Sequence, residues 1–247
     1  MSKFQGTFKR VEKKYRITRE QYEHLMMYIG DRMVLDKYGR STICNIYFDT
    51  PKHQLIRTSL QKPVYKEKLR FRSYGVPNED STTFVELKKK FKGVVYKRRV
   101  AMTYTEAVDY LYNGKRPPQV TQITNEIDWT FKLYNNLRPA MFLSYDRVAY
   151  YNKEDSNLRI TFDSNIIWRE EELFLSKGVW GNKLLDDNTF IMEIKIPGAM
   201  PLWLADTLDT LGIFPSSFSK YGTAYKETQN KMDNKLKNEG GIICAWY

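Results

Sequence analysis

Apolar and polar residues alternate along several stretches of this chain, and most of the polar positions are cations. Lys66, Lys68, Arg70 and Arg72 interleave with Tyr65, Leu69 and Phe71, Glu67 being the exception. Side chains two apart on a strand share a face, so this segment predicts a strand with one cationic and one apolar side. The pattern repeats. Phe84, Glu86, Lys88 and Lys90 lie against Val85, Leu87 and Phe91, and Lys97 and Arg99 against Val94, Tyr96, Val100 and Met102. Later, Arg159, Thr161 and Asp163 oppose Leu158, Ile160 and Phe162, and Glu193 and Lys195 oppose Met192, Ile194 and Ile196.

These and similar runs predict strands over 11–17, 43–48, 65–74, 82–91, 94–104, 141–151, 158–163 and 190–196. Helices come between them. Thr18 followed by Gln21 is a capping-box pattern, after which Tyr22, Leu25, Met26 and Ile29 form one helical face. Further helices are expected over 105–112, 125–137 and 201–211, the last with Pro201 at its start and Gly212 behind it. Strands in runs with helices between them give an α+β class with a mainly antiparallel sheet.

The 247 residues include 42% hydrophobic and 15% aromatic, enough for a core and in keeping with strands. Without repeats, low-complexity blocks or a Gly/Ser/Pro-rich linker, one domain over residues 1–230 is expected. Only Gly114 to Pro118 looks like a boundary, and residues 231–247, ending in IICAWY, have no assigned role. No stretch reaches the length of an apolar membrane span, and the first ten residues lack a secretory apolar run. Two cysteines, Cys44 and Cys244, stand without metal-ligand spacing, so reduced thiols and a cytoplasmic location are expected.

Charge narrows the function. Forty Lys and Arg against 29 Asp and Glu give +11, and the excess sits before residue 117. Such a chain expects an anionic partner. Nucleic-acid binding would call for an exposed basic stripe beside stacking aromatics or a groove-reading helix, whereas here the bases alternate along strands. An ordinary solvated strand face mixes both signs; these are dominated by cations, and Glu86, Asp163 and Glu193 each sit near a base on their own face. A sheet closed with its polar face inward explains both features. At an effective dielectric of about 20, cations ~5 Å apart repel by roughly 3 kcal/mol, so such an interior must hold an anion.

Arg10, Glu12, Lys14 and Tyr15 resemble the Glu-x-Glu-x-Lys signature of the triphosphate tunnel metalloenzymes, the CYTH superfamily. The closer resemblance is to the polyphosphate polymerase domain of the vacuolar transporter chaperone (VTC) complex, in its bacterial stand-alone form. It rests on EKKY at Glu12, IYFDT at Ile46, LRFRSYG at Leu69, FVELKKK at Phe84, YKRRV at Tyr96, YDRVAY at Tyr145, LRITFD at Leu158, MEIKIPG at Met192 and FSKYGTA at Phe218. These occur in family order over about residues 8–228.

The resemblance implies an eight-stranded antiparallel β-barrel, a triphosphate tunnel with helices outside. It implies an ATP-dependent phosphotransferase that extends inorganic polyphosphate and requires Mn²⁺ or Mg²⁺. Lys14, Lys68, Arg70, Arg72, Lys88, Lys97, Arg99, Arg147, Arg159, Lys195 and Lys220 would bind phosphate; Arg70, Arg72, Lys88 and Glu193 would be catalytic. Glu193 would hold the metal, with Glu86 and Glu12 as further candidates. For Arg147 a pairing within the core is the alternative, and Glu86 could serve instead to hold Lys88. Tyr15 and Tyr221 are expected to pack or orient, and His24 and His53 to lie at the surface.

Two departures bear on activity. The first acid of the signature is replaced by Arg10, leaving fewer carboxylates to ionise a water, which favours a polymerase over an inorganic or organic triphosphatase. The fungal relatives' phosphate-sensing domain and membrane helices have no counterpart here, so a membrane partner would be separately encoded. A non-catalytic polyphosphate-binding module is the reading from another class.

Overall fold

The computed structural model describes residues 11–238. Arg10, Cys244 and the IICAWY end lie outside them. In chain order the elements are β1 (Val11–Thr18), α1 (Arg19–Ile29), β2 (Met33–Asp49), α2 (Gln54–Leu60), β3 (Tyr65–Tyr74), β4 (Thr82–Phe91), β5 (Val94–Thr103), α3 (Tyr104–Leu111) and α4 (Gln122–Leu133). There follow β6 (Arg138–Asn152), β7 (Arg159–Arg169), the two-residue β8 (Asn182–Lys183), β9 (Thr189–Ile196), α5 (Leu202–Thr210) and α6 (Lys220–Asn238). The class is α+β, as the alternation predicts.

Local chemistry sets several boundaries. The Thr18–Gln21 capping box forms in both directions, which places the first turn of α1. α4 begins at Gln122, earlier than its apolar face indicates, because Thr121 and Thr124 form another such box. β2 begins at Met33 and not at the expected Ile43, because its half-exposed first part lacks the apolar alternation that would mark it in the sequence. α2 and α6 have no counterpart among the expected helices. The start of α2 is built by a side chain, with the Asp49 carboxylate accepting from the N–H groups of Leu55 and Ile56 at 2.8 and 2.9 Å.

Hydrogen-bonded strand neighbours follow the order β1-β9-β7-β6-β2-β3-β4-β5, an eight-strand path from which β8, paired to β7, stands aside. The β1–β9, β7–β9, β3–β4 and β4–β5 ladders are antiparallel. Among the described residues no ladder joins the ends of the path, β1 and β5.

The chain packs as two compact units. Unit 1 comprises the segments up to Ile43, Ser144–Ile166 and Leu185–Phe218; unit 2 comprises Cys44–Leu143, Ile167–Leu184 and the chain from Ser219 on. Three of the five divisions fall within β2, β6 and β7, and the loop-like stretch Gly114 to Pro118 lies inside unit 2.

Each unit buries one sheet face under helices. In unit 1 Tyr15, Ile17, Ile160, Phe162, Met192 and Ile194 pack with Leu25 and Ile29 of α1 and Leu204 and Leu208 of α5. In unit 2 Leu69, Phe71, Val85 and Leu87 pack with Tyr104, Ala107 and Leu111 of α3 and Ile127 of α4. Burying such a side chain stabilises by about 1.5–3 kcal/mol, so the apolar faces dictate where the helices go. By the two-residue period, the cations are left on the opposite face.

Unit 2 also holds a buried cation that no motif flags. The Arg169 guanidinium lies over the Phe142 ring at 3.7 Å and the Trp180 ring at 4.5 Å. It donates to the carbonyls of Glu171, Glu172, Phe174, Gly178 and Trp180. Neutral acceptors thus stitch the loop after β7 around one charge. Gly181 closes the loop where a Cβ would collide with the Trp168 carbonyl.

Candidate functional site

In unit 2 the registers of β3, β4 and β5 turn sequence alternation into rows across strands. Lys68 stands opposite Lys88, and Lys88 opposite Lys97; one step along, Arg70 stands opposite Glu86, and Glu86 opposite Arg99. Three lysines and a carboxylate between two arginines therefore share one face.

Glu86 anchors the group. Only 1% exposed, its carboxylate accepts from Arg70 Nε and from Arg99 Nε at 2.6 Å, with Lys97 Nζ at 3.1 Å and Arg72 Nε at 3.7 Å. Burial alone would raise its pKa, but Arg70, Arg72, Lys97 and Arg99 overcome that and hold it well below the ordinary carboxylate range. Both alternate positions on β5 thus reach the same acid. Lys88 does not; it is exposed and forms no ion pair among the described residues. Burial, then Lys90, Lys62 and Lys88, lower the pKa of Lys66, as expected where cations crowd.

Arg72 is buried and donates from Nε to Asn45 Oδ1 at 2.9 Å, while Asn45 Nδ2 donates to the Leu143 carbonyl at 3.0 Å. Tyr47, two residues on, stacks on Tyr221 with ring centroids 4.5 Å apart. Tyr221 donates its hydroxyl to Asp49 at 2.9 Å. Lys68 reaches Ser219 Oγ at 3.3 Å and lies over the Tyr221 ring, and Lys220 opens α6 beside it. Asn45, Tyr47 and Asp49 are residues that the sequence reading missed as orienting groups. Their signal was present: they alternate with Ile46 and Phe48 and so share one face of β2.

Burial would raise the Tyr47 pKa, yet Arg70, Lys68 and Arg72 outweigh it and bring the phenol down to about 8. This gives a direct probe. An anion bound to those cations should move the Tyr47 pKa back toward the ordinary 10, so that between pH 8 and 10 triphosphate binding takes up a proton. Ultraviolet titration should show a phenolate signal near pH 8 that triphosphate shifts upward and Tyr47→Phe removes. A titration unmoved by saturating triphosphate would take phosphate away from Arg70 and Lys68.

Unit 1 carries a smaller set. Lys14 on β1 stands opposite Glu193 on β9, and Glu12 opposite Lys195. Glu193 pairs with Lys195 Nζ at 2.7 Å, and Lys14 donates to the Phe218 carbonyl at 3.3 Å with Glu12 Oε1 at 3.9 Å. Burial would raise the Glu193 pKa, but Lys195, Lys14 and Arg147 hold it near 2. Arg147 makes a fork with the fully buried Asp163, Nε to Oδ1 at 2.6 Å and Nη2 to Oδ2 at 2.7 Å. This is the core pairing that the sequence left as an alternative. Arg159 turns to Asp36.

Two of the three candidate metal ligands, Glu12 and Glu193, thus lie in unit 1, while Glu86 in unit 2 is surrounded by cations. No cluster of three or more His, Cys, Asp or Glu suited to a metal occurs among the described residues. Glu193 is ionised at neutral pH and is a hard oxygen donor. That fits a Mg²⁺ or Mn²⁺ ion held by one or two carboxylates and shared with substrate phosphates; it does not fit a cage made by protein alone.

The sequence model of the VTC domain family matches residues 9–229. The chain belongs to that family. No curated protein matches it. Among solved structures, this VTC domain shares its fold with a candidate adenylate cyclase from Bacillus halodurans, at a TM-score of 0.53 and 15% identity over 85% of this chain and 92% of that one. A candidate adenylyl cyclase from Hippeastrum, described as having a dominant triphosphatase activity, gives a TM-score of 0.49 at 14% identity, covering 95% and 98% of the two chains.

Proposed function

We propose that this VTC domain is a polyphosphate polymerase that moves the γ-phosphoryl group of ATP onto the end of an inorganic polyphosphate chain. The observation that carries the reading is the pair of rows Lys68–Lys88–Lys97 and Arg70–Glu86–Arg99 on one sheet face of a VTC-family chain. Phosphoryl transfer needs in-line positioning and neutralised oxygens more than covalent help from protein. Arg70, Arg72 and Arg99 offer planar donors to phosphate oxygens, and Lys68, Lys88 and Lys97 add point charges. A terminal phosphate oxygen of the acceptor attacks the γ-phosphorus, the bond to the β-phosphate's bridging oxygen breaks, and ADP leaves with that electron pair. No side-chain nucleophile takes part.

Lys14, Arg147, Arg159, Lys195 and Lys220 are assigned to phosphate in the same reading, with Arg147 held in place by Asp163. Mg²⁺ or Mn²⁺ on Glu193, with Glu12 near by in sequence register, would supply neutralisation of the phosphate charge. A polymerase is favoured over a triphosphatase because the acceptor phosphate is already anionic and needs no base. The carboxylates that could ionise a water are paired with cations instead, Glu86 with four of them and Glu193 with Lys195. The test is incubation with ATP and Mn²⁺ or Mg²⁺ followed by gel sizing of products. Chains longer than triphosphate are expected; release of orthophosphate alone would replace the polymerase by a triphosphatase.

A further inference from the structure

The far end of the β4–β5 hairpin is assigned no role by the proposed chemistry. Lys92 and Gly93, both with positive φ, make a two-residue turn between Phe91 and Val94. The tip is apolar and open to solvent: Phe91, Val94, Val95 and Tyr96 are each 45–52% exposed. Lys92 N–H donates to the carbonyl of Val64, which is itself 62% exposed and precedes the exposed Tyr65. By register, Val95 lies on the face of Lys66 and Lys90, whereas Phe91, Val94 and Tyr96 lie on the other. Apolar side chains therefore project from both faces of one ribbon end. A flat protein surface would cover only one of them; a fluid apolar phase can surround both.

The charge around the tip selects the phase. Residues 88–99 contain seven Lys or Arg and no acid, and Lys62 and Lys66 come from the neighbouring segment. The nearest acids are already engaged: Glu126 pairs with Lys89 and Arg98, and Glu67 is buried. An apolar tip with lysines behind it and tyrosines at the level of the headgroups complements an anionic lipid leaflet. No described helix is long and apolar enough to cross a membrane, so the contact would be interfacial.

We propose that the β4–β5 hairpin tip docks this protein on anionic membrane surfaces, with Val94, Val95 and Phe91 entering the interface and Lys62, Lys90 and Lys92 facing lipid phosphates. The proposal does not depend on the polymerase reading, because none of these residues is assigned to phosphoryl transfer.

The test is co-sedimentation of the full chain with vesicles of phosphatidylcholine alone or mixed with phosphatidylserine. Binding is expected only to the mixed vesicles and should persist in saturating triphosphate. Lys90→Gln with Lys92→Gln should weaken it about twenty-five-fold, since each lysine near an anionic leaflet contributes roughly fivefold. Val94→Asp with Val95→Asp should abolish it while the melting temperature and the triphosphate-induced shift stay as in the parent. Equal binding by the Asp variant, or complete competition by triphosphate, would overturn the proposal by placing the contact at the phosphate-binding face. No binding to mixed vesicles would overturn it as well.

Discussion

Glu86→Gln should lower the melting temperature of the ligand-free protein by roughly 10 °C, and triphosphate should restore most of the loss. The carboxylate is buried and faces Arg70, Arg72, Lys97 and Arg99. Removing one partner of a buried ion pair typically costs ~3–5 kcal/mol, because the remaining charges are left desolvated and unpaired. Here four cations lose their shared counter-ion at once. A bound triphosphate supplies several negative oxygens at the same place, so it should stabilise the variant more than the parent. Thermal scans with triphosphate, and with chloride at equal ionic strength, measure both effects. An equal loss in all conditions would make the Glu86 group a structural ion cluster and remove it from the phosphate site. The ordinary protein keeps this contribution above the unfolded carboxyl value of 4.5 and loses it only in strong acid, since the folded pKa is depressed.

Glu193→Gln should reduce ATP turnover by on the order of 100-fold or more while triphosphate binding is retained. The substitution keeps size and removes the charge that a hard divalent cation would use. It also frees Lys195, which is paired with Glu193 at 2.7 Å, to face phosphate alone, so affinity for triphosphate should hold or rise. Turnover against Mn²⁺ or Mg²⁺ concentration, alongside calorimetric binding of triphosphate without metal, separates the two roles. Normal metal-dependent turnover would pass the ligand role to Glu12. Loss of triphosphate binding together with turnover would mean that Glu193 serves the fold. Its folded pKa near 2 predicts that its stabilising contribution is complete above pH 4.5 and fades as the pH falls toward 2.

The class, the strands and their two unlike faces are legible along the chain, because the two-residue period sets which side chains point the same way whatever the strand packs against. The same period puts Lys97 and Arg99 on one face of β5 without choosing between them, and in the fold both reach Glu86. Which charges meet depends on how the strands are paired. Arg70 and Glu86 are sixteen residues apart and Arg147 and Asp163 likewise, so only strand register made the first pair a shared anchor and the second a buried fork. Register also gave Lys88 lysine neighbours in place of the carboxylate on its own strand. α2, α6 and the Asp49–Tyr221 bond across 172 residues lay beyond pattern reading, because a helix start fixed by a distant side chain leaves no periodic trace. Arg169 marks the same limit. One arginine in a sequence rich in them looks like any other, and only the folded loop, by closing five carbonyls around its guanidinium, made it part of the core.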